Sequence, residues 1–235
     1  MKLTSFLAAA AIALAGTANA ATVVSVDFTK NHDFIGTFVN PVTGNGVVGN
    51  QGTGIAFDIA STGNDIWTSH GGAPGTVGAS GTQTLNVATS LEGVDKVHSL
   101  MNLWWGSTTP GLTSVSFEAA NGFVQTFALT GGVELRDYNR TASFPNSVSS
   151  PMTSTWWLRP DGARRLDMVT FDLDDAFLSS ALVGITFTDE GARNTHRAFV
   201  AGISAELIST VPVPASLPLL LSGIAGATIL RRRRN

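Results

Sequence analysis

The chain has 235 residues, no cysteine and a formal net charge of −3, which exclude a disulfide scaffold, thiolate metal sites and cysteine nucleophiles. Without the two terminal segments described below, 9 basic residues face 17 acidic ones, a formal charge of −8. Such an acidic domain lacks the basic face that nucleic-acid binding needs, so we expect no nucleic-acid partner.

The N-terminus has the three parts of a secretory signal peptide. Lys2 supplies a positive charge, residues 3–16 are apolar, and residues 18–20 form an A-x-A cleavage site. We therefore predict a signal peptide over residues 1–20, export by the general secretion machinery, and removal by signal peptidase. The mature chain would begin at Ala21. The alternative is a buried N-terminal helix.

Alternation of apolar and polar residues dominates residues 21–209 and predicts β-strands separated by Gly, Asn and Pro turns. The apolar faces comprise Val24, Val26 and Phe28; Ile55, Phe57 and Ile59; Val115 and Phe117; Phe123, Phe127 and Leu129; Val169, Phe171 and Leu173; Val183, Ile185 and Phe187; and Phe199, Ala201, Ile203 and Leu207. We predict a single all-β domain, an antiparallel β-sandwich of jelly-roll type, with one short helical turn within residues 174–182.

Two tryptophan pairs are candidates for a binding surface, because adjacent strand residues face opposite sides of a sheet. Trp104 and Trp157 lie on the more polar face of their strands, so we expect them to be exposed. Exposed tryptophans can stack on sugar rings, which makes these two residues candidates for carbohydrate binding. The alternative is that both pairs pack beneath loops, as large aromatic residues usually do.

Arg136, Asp137 and Tyr138 form a polar group at the predicted end of a strand. The guanidinium of Arg136 can pair with a carboxylate through two parallel hydrogen bonds. That carboxylate can belong to a ligand or to the protein itself. We favour the second interpretation, in which an ion pair fixes the strand end.

Metal and catalytic motifs are weak in this sequence. Two acidic groups, residues 172–175 and 189–190, can supply calcium ligands or form a solvated surface, and we favour the latter. The four histidines are far apart in the chain and match no zinc motif: His32, His70, His98 and His196. No G-x-S-x-G sequence is present. A Ser-His-Asp triad can still be formed by residues that are distant in the sequence, so that alternative is left open. We expect no cofactor, apart from the calcium alternative, and no enzymatic activity.

The last 25 residues have three parts in a fixed order. The first part consists of Val211, Pro212, Val213, Pro214 and Ala215. Its prolines stiffen the chain and do not continue a helix. Residues 216–230 carry no charged side chain, and the third part is the cluster Arg231, Arg232, Arg233 and Arg234. As a helix, the 15 uncharged residues span roughly 22 Å, less than a hydrocarbon core of about 30 Å.

Three interpretations of residues 210–235 are open: a buried core helix, a permanent but marginal membrane anchor, and a transient sorting signal that an enzyme reads. An apolar segment enters a bilayer as a helix because lipid offers no partner for backbone groups. The arginines would stay on the cytoplasmic side, since moving them across is costly. We favour a short transmembrane helix that serves as a sorting signal.

The order of these parts resembles the VPLPA-CTERM sorting signal, a variant of the PEP-CTERM system of Gram-negative bacteria, with Val213 where that family usually has leucine. The resemblance covers residues 211–235 only. It implies an exosortase-type membrane protease as partner, cleavage near residues 212–215, and transient anchoring in the inner membrane. It further implies a cell-surface or extracellular location and an association with exopolysaccharide in a biofilm matrix. The alternatives are a displayed carbohydrate-binding module and a permanently anchored surface protein.

Three further segments loosely resemble domains that precede such tails: residues 131–139 (GGVELRDYN), 164–167 (RRLD) and 197–202 (RAFVAG). This second resemblance spans residues 95–208 and implies no known activity. The last segment is also similar to the closing strand of many carbohydrate-binding jelly rolls. That likeness is one of fold, and fold does not determine function.

Overall fold

The computed structural model describes residues 20–35, 46–48, 53–59, 63–69, 81–141, 145–192 and 195–209. The sorting tail, His70 and all but the last residue of the predicted signal peptide lie outside these ranges. Residues Ala21–Ile208 form one compact unit. The described residues are mostly strand, and the assigned strand pairs are antiparallel, which confirms the all-β, antiparallel part of the prediction. No helix among them is both long and apolar enough to cross a membrane.

The secondary-structure elements follow the predicted alternation closely. In chain order they are β1 (Ala20–Ser25), β2 (Gly46–Val48), β3 (Phe57–Ile59), β4 (Trp67–Thr68), β5 (Gln83–Leu91), β6 (Val94–Trp104), β7 (Thr113–Ala119), β8 (Val124–Leu129), β9 (Thr153–Leu158), β10 (Arg165–Asp172), α1 (Ala176–Ser179), β11 (Leu182–Asp189) and β12 (Arg197–Ser209). The helix α1 lies within the predicted helical turn.

Two sheets make up most of the domain. The larger sheet has six strands in the order β1-β12-β6-β10-β9, with β4 also paired to β12, and the smaller has four in the order β5-β11-β7-β8. From β5 onward the chain changes sheet repeatedly. As a result, β6, β9, β10 and β12 belong to the larger sheet, and β5, β7, β8 and β11 to the smaller one. The strands β2 and β3 pair separately.

The first hydrophobic core lies between the two sheets. Alternate residues of β6, including Val97 and Met101, meet the inward residues of β7 and β11. Phe117 from the smaller sheet contacts Phe171 from the larger one, with ring centroids 5.3 Å apart. The outward residues of β5 and β8 are exposed or half-buried, which is the regular pattern of a sheet with one solvated face.

A second hydrophobic core covers the opposite face of the larger sheet. It combines Leu100, Phe199 and the tryptophans of β9 with residues from the N-terminal segments, among them Phe34 and Phe57. The central strands β12, β6 and β10 of the larger sheet are therefore buried on both faces along most of their length. Eight consecutive residues of β6, from Val97 onward, are buried, a continuous pattern that is usual for parallel sheets enclosed between helices.

A bulge in β12 changes which core its residues enter. The pairing register of β12 with β6 shifts between Val200 and Gly202. Phe199 therefore packs in the second core, whereas Ile203 packs in the first. The predicted shared face of these two residues is wrong, because the extra residue at the bulge resets the alternation.

Replacement of Phe57 tests the contribution of the second core. Phe57 is fully buried, and its ring centroid lies 5.5 Å from that of Trp156. We expect Phe57→Ala to lower the free energy of unfolding by about 3–5 kcal/mol, measured by denaturant titration, because it leaves a cavity. The matched control is Phe123→Ala at a ring that is 38% exposed, which should cost clearly less. Equal losses would contradict the two-core description.

Candidate functional site

The two candidate carbohydrate-binding tryptophans are buried, so the prediction that they are exposed is wrong. Trp104 is 3% exposed and Trp157 is 7% exposed. The ring of Trp104 packs against Phe34 and Phe199, with centroids 4.9 and 5.7 Å away. The polar-looking face of these strands is covered by the N-terminal segments, so neither residue offers a stacking surface for a sugar.

A bulge explains why both tryptophans of β9 point into the same core. Leu166 pairs with Trp157 and Asp167 with Thr155, so the register omits Trp156. The alternation of sides is interrupted there, and Trp156 and Trp157 both enter the second core. The indole nitrogen of Trp156 donates to the carbonyl of Ile55 at 3.2 Å.

The polar group predicted at Arg136 lies in a segment inserted into the larger sheet, residues 136–140. On one side, Leu103 of β6 donates its N–H to the carbonyl of Arg136 at 3.0 Å, and Tyr138 donates to the carbonyl of Leu103 at 3.2 Å. On the other side, Arg165 of β10 donates its N–H to the carbonyl of Tyr138 at 3.0 Å. The inserted segment thus connects β6 and β10 where their direct pairing ends.

Asp167 is the centre of an ionic network beside this segment. Arg136 donates to both of its carboxylate oxygens, at 2.9 and 2.7 Å, so the predicted bidentate pairing with a carboxylate is confirmed. Asn102 exchanges two hydrogen bonds with Asp167, at 2.6 and 2.9 Å. The Nε of Arg165 lies 3.6 Å from the same carboxylate. This network joins β6, β10 and the inserted segment, which favours the structural interpretation of Arg136.

Asp137 fixes the backbone at the end of β6. Its carboxylate accepts the N–H of Trp105 at 3.0 Å and the N–H of Asn139 at 2.7 Å. Trp105 has a positive φ of 51°, an unfavourable conformation for a bulky side chain. Burial raises the pKa of the Asp137 carboxyl to about 6, although these N–H groups and the charges of Arg165 and Arg164 act in the opposite direction.

A second buried network surrounds Asp189 at the end of β11. Its carboxylate accepts hydrogen bonds from the Ser69 hydroxyl at 2.5 Å, from the Ala198 N–H at 2.7 Å and from the Gly191 N–H at 2.6 Å. Gly191 is required here, since a Cβ would lie 2.3 Å from the carbonyl oxygen of His196. This carboxylate is committed to the connection between β11 and β12.

The histidines in the described ranges are buried and dispersed. His196 accepts the N–H of Ser107 at Nδ1 and contacts the Thr113 hydroxyl at Nε2, and burial lowers its pKa. His32 stacks edge-on against Trp104, with ring centroids 5.8 Å apart, and burial lowers its pKa as well. Burial therefore favours the neutral form of both rings, and both contribute to packing in the interior.

His98 lies between a hydroxyl and a carboxylate, in an arrangement that superficially resembles a catalytic triad. Its Nδ1 is 3.0 Å from the Thr170 hydroxyl, its Nε2 is 3.4 Å from Glu206, and burial lowers its pKa. All three residues sit within paired strands of the larger sheet, whose N–H groups bond to neighbouring strands. The ring of His98 in β6 thus links β6 to β10 through Thr170 and to β12 through Glu206, which is a structural role.

The acidic groups considered for calcium do not converge. Asp172 pairs with Lys96 at 2.5 Å on the surface, and Asp174 accepts the N–H of Ala176 at 2.9 Å. Asp189 is buried in its own network, while Glu190 is exposed. Across the described ranges, no group of three or more His, Asp or Glu residues is placed to hold a metal ion.

No protein-family model and no curated protein matches this chain. The chemistry of the site therefore rests on its geometry. Two of the sequence segments singled out above, residues 131–139 and 164–167, meet in the network around Asp167. The cleavage motif, the terminal arginines and His70 lie outside the described residues, and the absence of enzymatic activity stays a prediction.

Sequence reasoning missed several members of the two networks. Asn102 and Asn146 were not anticipated, although Asn146 accepts a 2.6 Å hydrogen bond from Arg165. Ser69, which bonds to Asp189, and Thr113, which contacts His196, were not anticipated either. The usable signal for the first network was the RRLD segment, in which Arg165 and Asp167 flank Leu166 at the start of a strand. No local pattern marks the others.

Replacement of Asp167 tests the first network. Asp167→Asn leaves the guanidinium groups of Arg136 and Arg165 without their carboxylate, and we expect a loss of about 3 kcal/mol in the free energy of unfolding. Asp172→Asn is the matched control, because it removes the partner of Lys96 in a pair whose side chains are 74% and 36% exposed. That control should change stability by less than about 1 kcal/mol. Similar losses in both variants would argue against a buried network.

Asp137 should make stability depend on pH in a direction unusual for a carboxylate. A folded pKa of about 6 lies above the ordinary value of 3.8 for an aspartate, so the contribution of Asp137 to stability is complete below about pH 4 and is lost as pH rises through 6. We expect the stability of the wild type minus that of Asp137→Asn to fall over this interval by something on the order of 3 kcal/mol. The buried histidines are common to both proteins and cancel in the difference. A flat difference between pH 4 and 7 would refute the assignment.

Proposed function

We propose that this protein is an exported cell-surface or extracellular-matrix component, sorted through its C-terminal tail and cleaved there by an exosortase-type protease. The observation that carries the proposal is the fixed order of the tail: Val211 to Ala215, an uncharged segment, and then Arg231 to Arg234. It agrees with the signal-peptide pattern at the other end of the chain. In the sequence, the compact unit Ala21–Ile208 lies between the two patterns.

For the domain itself we propose a jelly roll. What supports this is the strand order, in which β1-β12-β6-β10 and β5-β11-β7-β8 follow the alternation of two interleaved Greek keys. The strand β9 then extends the larger sheet by one strand. This topology is compatible with many functions, so the role of the domain depends on its surface.

A structural or adhesive role fits the domain better than stacking on sugars. Trp104 and Trp157 are inaccessible, and the polar networks around Asp167 and Asp189 bind strands to one another. The second candidate is a permanently anchored surface protein. It is favoured by the tail alone, because an uncharged helix followed by four arginines can remain in the membrane when no protease acts on it.

The intact mass of the protein, recovered from membrane and extracellular fractions of its host, tests this proposal. We expect a species that starts at Ala21 and ends within residues 211–215 in cells that contain the protease. In a strain without the protease, the same chain should keep Arg231 to Arg234 and remain in the membrane fraction, because the tail is then not cut.

A matched pair of variants sharpens this measurement. Pro212→Ala together with Pro214→Ala alters the motif and should reduce cleavage, whereas Ser216→Ala just beyond it should leave cleavage intact. If the protein kept Arg231 to Arg234 in both strains, the sorting proposal would be rejected in favour of a permanent anchor. A mature species that still contains residues 1–20 would reject the signal peptide.

A further inference from the structure

Positive charge is concentrated in one stretch of an otherwise acidic domain. Residues 136–165 contain five arginines and only two carboxylates, those of Asp137 and Asp161. The rest of residues 21–209 contains 4 basic and 15 acidic residues. Such an asymmetry produces a local positive field that attracts anions, even though the whole domain is acidic.

The fold divides these five arginines into two groups. Arg136, which is half-buried, and Arg165, which is buried, form the inner group. Arg136 donates to the carboxylate of Asp167, and Arg165 donates to the carbonyl of Asp137. The other three surround the turn between β9 and β10, and we call them the arginine rim: Arg140, Arg159 and Arg164. The turn holds two of them side by side, because Arg159 donates its N–H to the carbonyl of Arg164 at 2.9 Å.

The inserted segment brings Arg140 to the same turn. Arg140 is exposed, and it donates its backbone N–H to the carbonyl of Ala163 at 3.0 Å. Its Nη1 donates to the carbonyl of Gly162 at 3.1 Å. This bond orients the guanidinium without neutralising its charge, because the acceptor is a carbonyl and not a carboxylate.

The rim is only partly neutralised by its neighbours. Asp161 pairs with Arg159 at 3.2 Å, and the two side chains are 50% and 37% exposed. Arg164 stacks over the ring of Tyr138 at 5.3 Å, and its buried Nε has no hydrogen-bond partner among the described residues. Three guanidiniums and one carboxylate therefore leave the rim with an excess of two positive charges.

We propose that the arginine rim binds the carboxylates of an acidic polysaccharide. Planar guanidinium groups match carboxylates through paired hydrogen bonds, and Arg164 is already held in place by Tyr138, which reduces the entropy lost on binding. The rim is an exposed turn and not a closed pocket, so it suits a linear polymer with repeated carboxylates. The choice of a polysaccharide rests on the proposed function. Nucleic acid is disfavoured because the acidic remainder of the domain repels so dense a charge.

The test is binding of polygalacturonate, a polymer of uronic acid, to the full chain purified in detergent. We expect binding at low ionic strength that weakens as salt rises from 0.1 to 1 M, because the screening length falls from about 10 to 3 Å. The double variant Arg140→Gln, Arg159→Gln should bind about three- to tenfold more weakly. Its matched control, Lys30→Gln with Lys96→Gln, removes the same charge elsewhere and should bind as the wild type does.

A third variant should strengthen binding. Asp161→Asn removes the carboxylate that competes for Arg159 and keeps an oxygen able to accept the 2.9 Å bond from the Ala163 N–H. We expect about two- to fivefold tighter binding.

Three results would overturn the inference: no binding by the wild type, equal weakening in the lysine control, or tighter binding of polyphosphate or DNA than of polygalacturonate. Because the chain is purified before the assay, failure of binding leaves the sorting proposal untouched. Failure of sorting would not change the measured binding, although it would remove the reason for choosing a polysaccharide as the ligand.

Discussion

Coverage of the central strands of the six-stranded sheet on both faces is the constraint on which the rest of this structure depends. Polar side chains on such a sheet have no water to bond to, and each unsatisfied group costs about 1–3 kcal/mol. Asn102 and Asp167 bond to each other, His98 bonds to Thr170, and Ser204 donates to the carbonyl of Ala56 at 2.6 Å. In a chain without cysteine, these bonds and the two cores hold the strands in register.

The same constraint explains where sequence reasoning about the fold succeeded and where it failed. Alternation identifies strands whose outer face meets water, as in β7 and β8. It misleads where a polar-looking face is covered by another part of the chain, as happened with Trp104. The alternation pattern also shifts by one residue at a bulge. Neither the bulge beside Trp156 nor the bulge before Gly202 has a local sequence signal. Knowledge of the covering segments, contributed by residues distant in the chain, would have been required.

The candidate site shows the same limit at the level of single side chains. The pairing of Arg136 with a carboxylate could be predicted, because an arginine at a strand end beside apolar strands needs a counter-charge. Its partners could not be predicted, since Asp167 lies 31 residues after Arg136, and Asn102 lies 65 residues before Asp167. Their meeting depends on the inserted segment, which joins β6 to β10 through backbone bonds that no side-chain pattern encodes.

The buried and exposed arginines of this region have complementary roles. Arg165 and Arg136 share the carboxylate of Asp167 within the protein, so they fix the base of the turn between β9 and β10. Arg140 and Arg164 are carried on that rigid base, one bonded to a carbonyl and the other stacked on Tyr138. A positive surface built in this way needs little reorganisation to meet an anion. Its location at one end of an acidic domain also sets the orientation in which such a domain would approach a polyanionic matrix, with the remaining surface held away by repulsion.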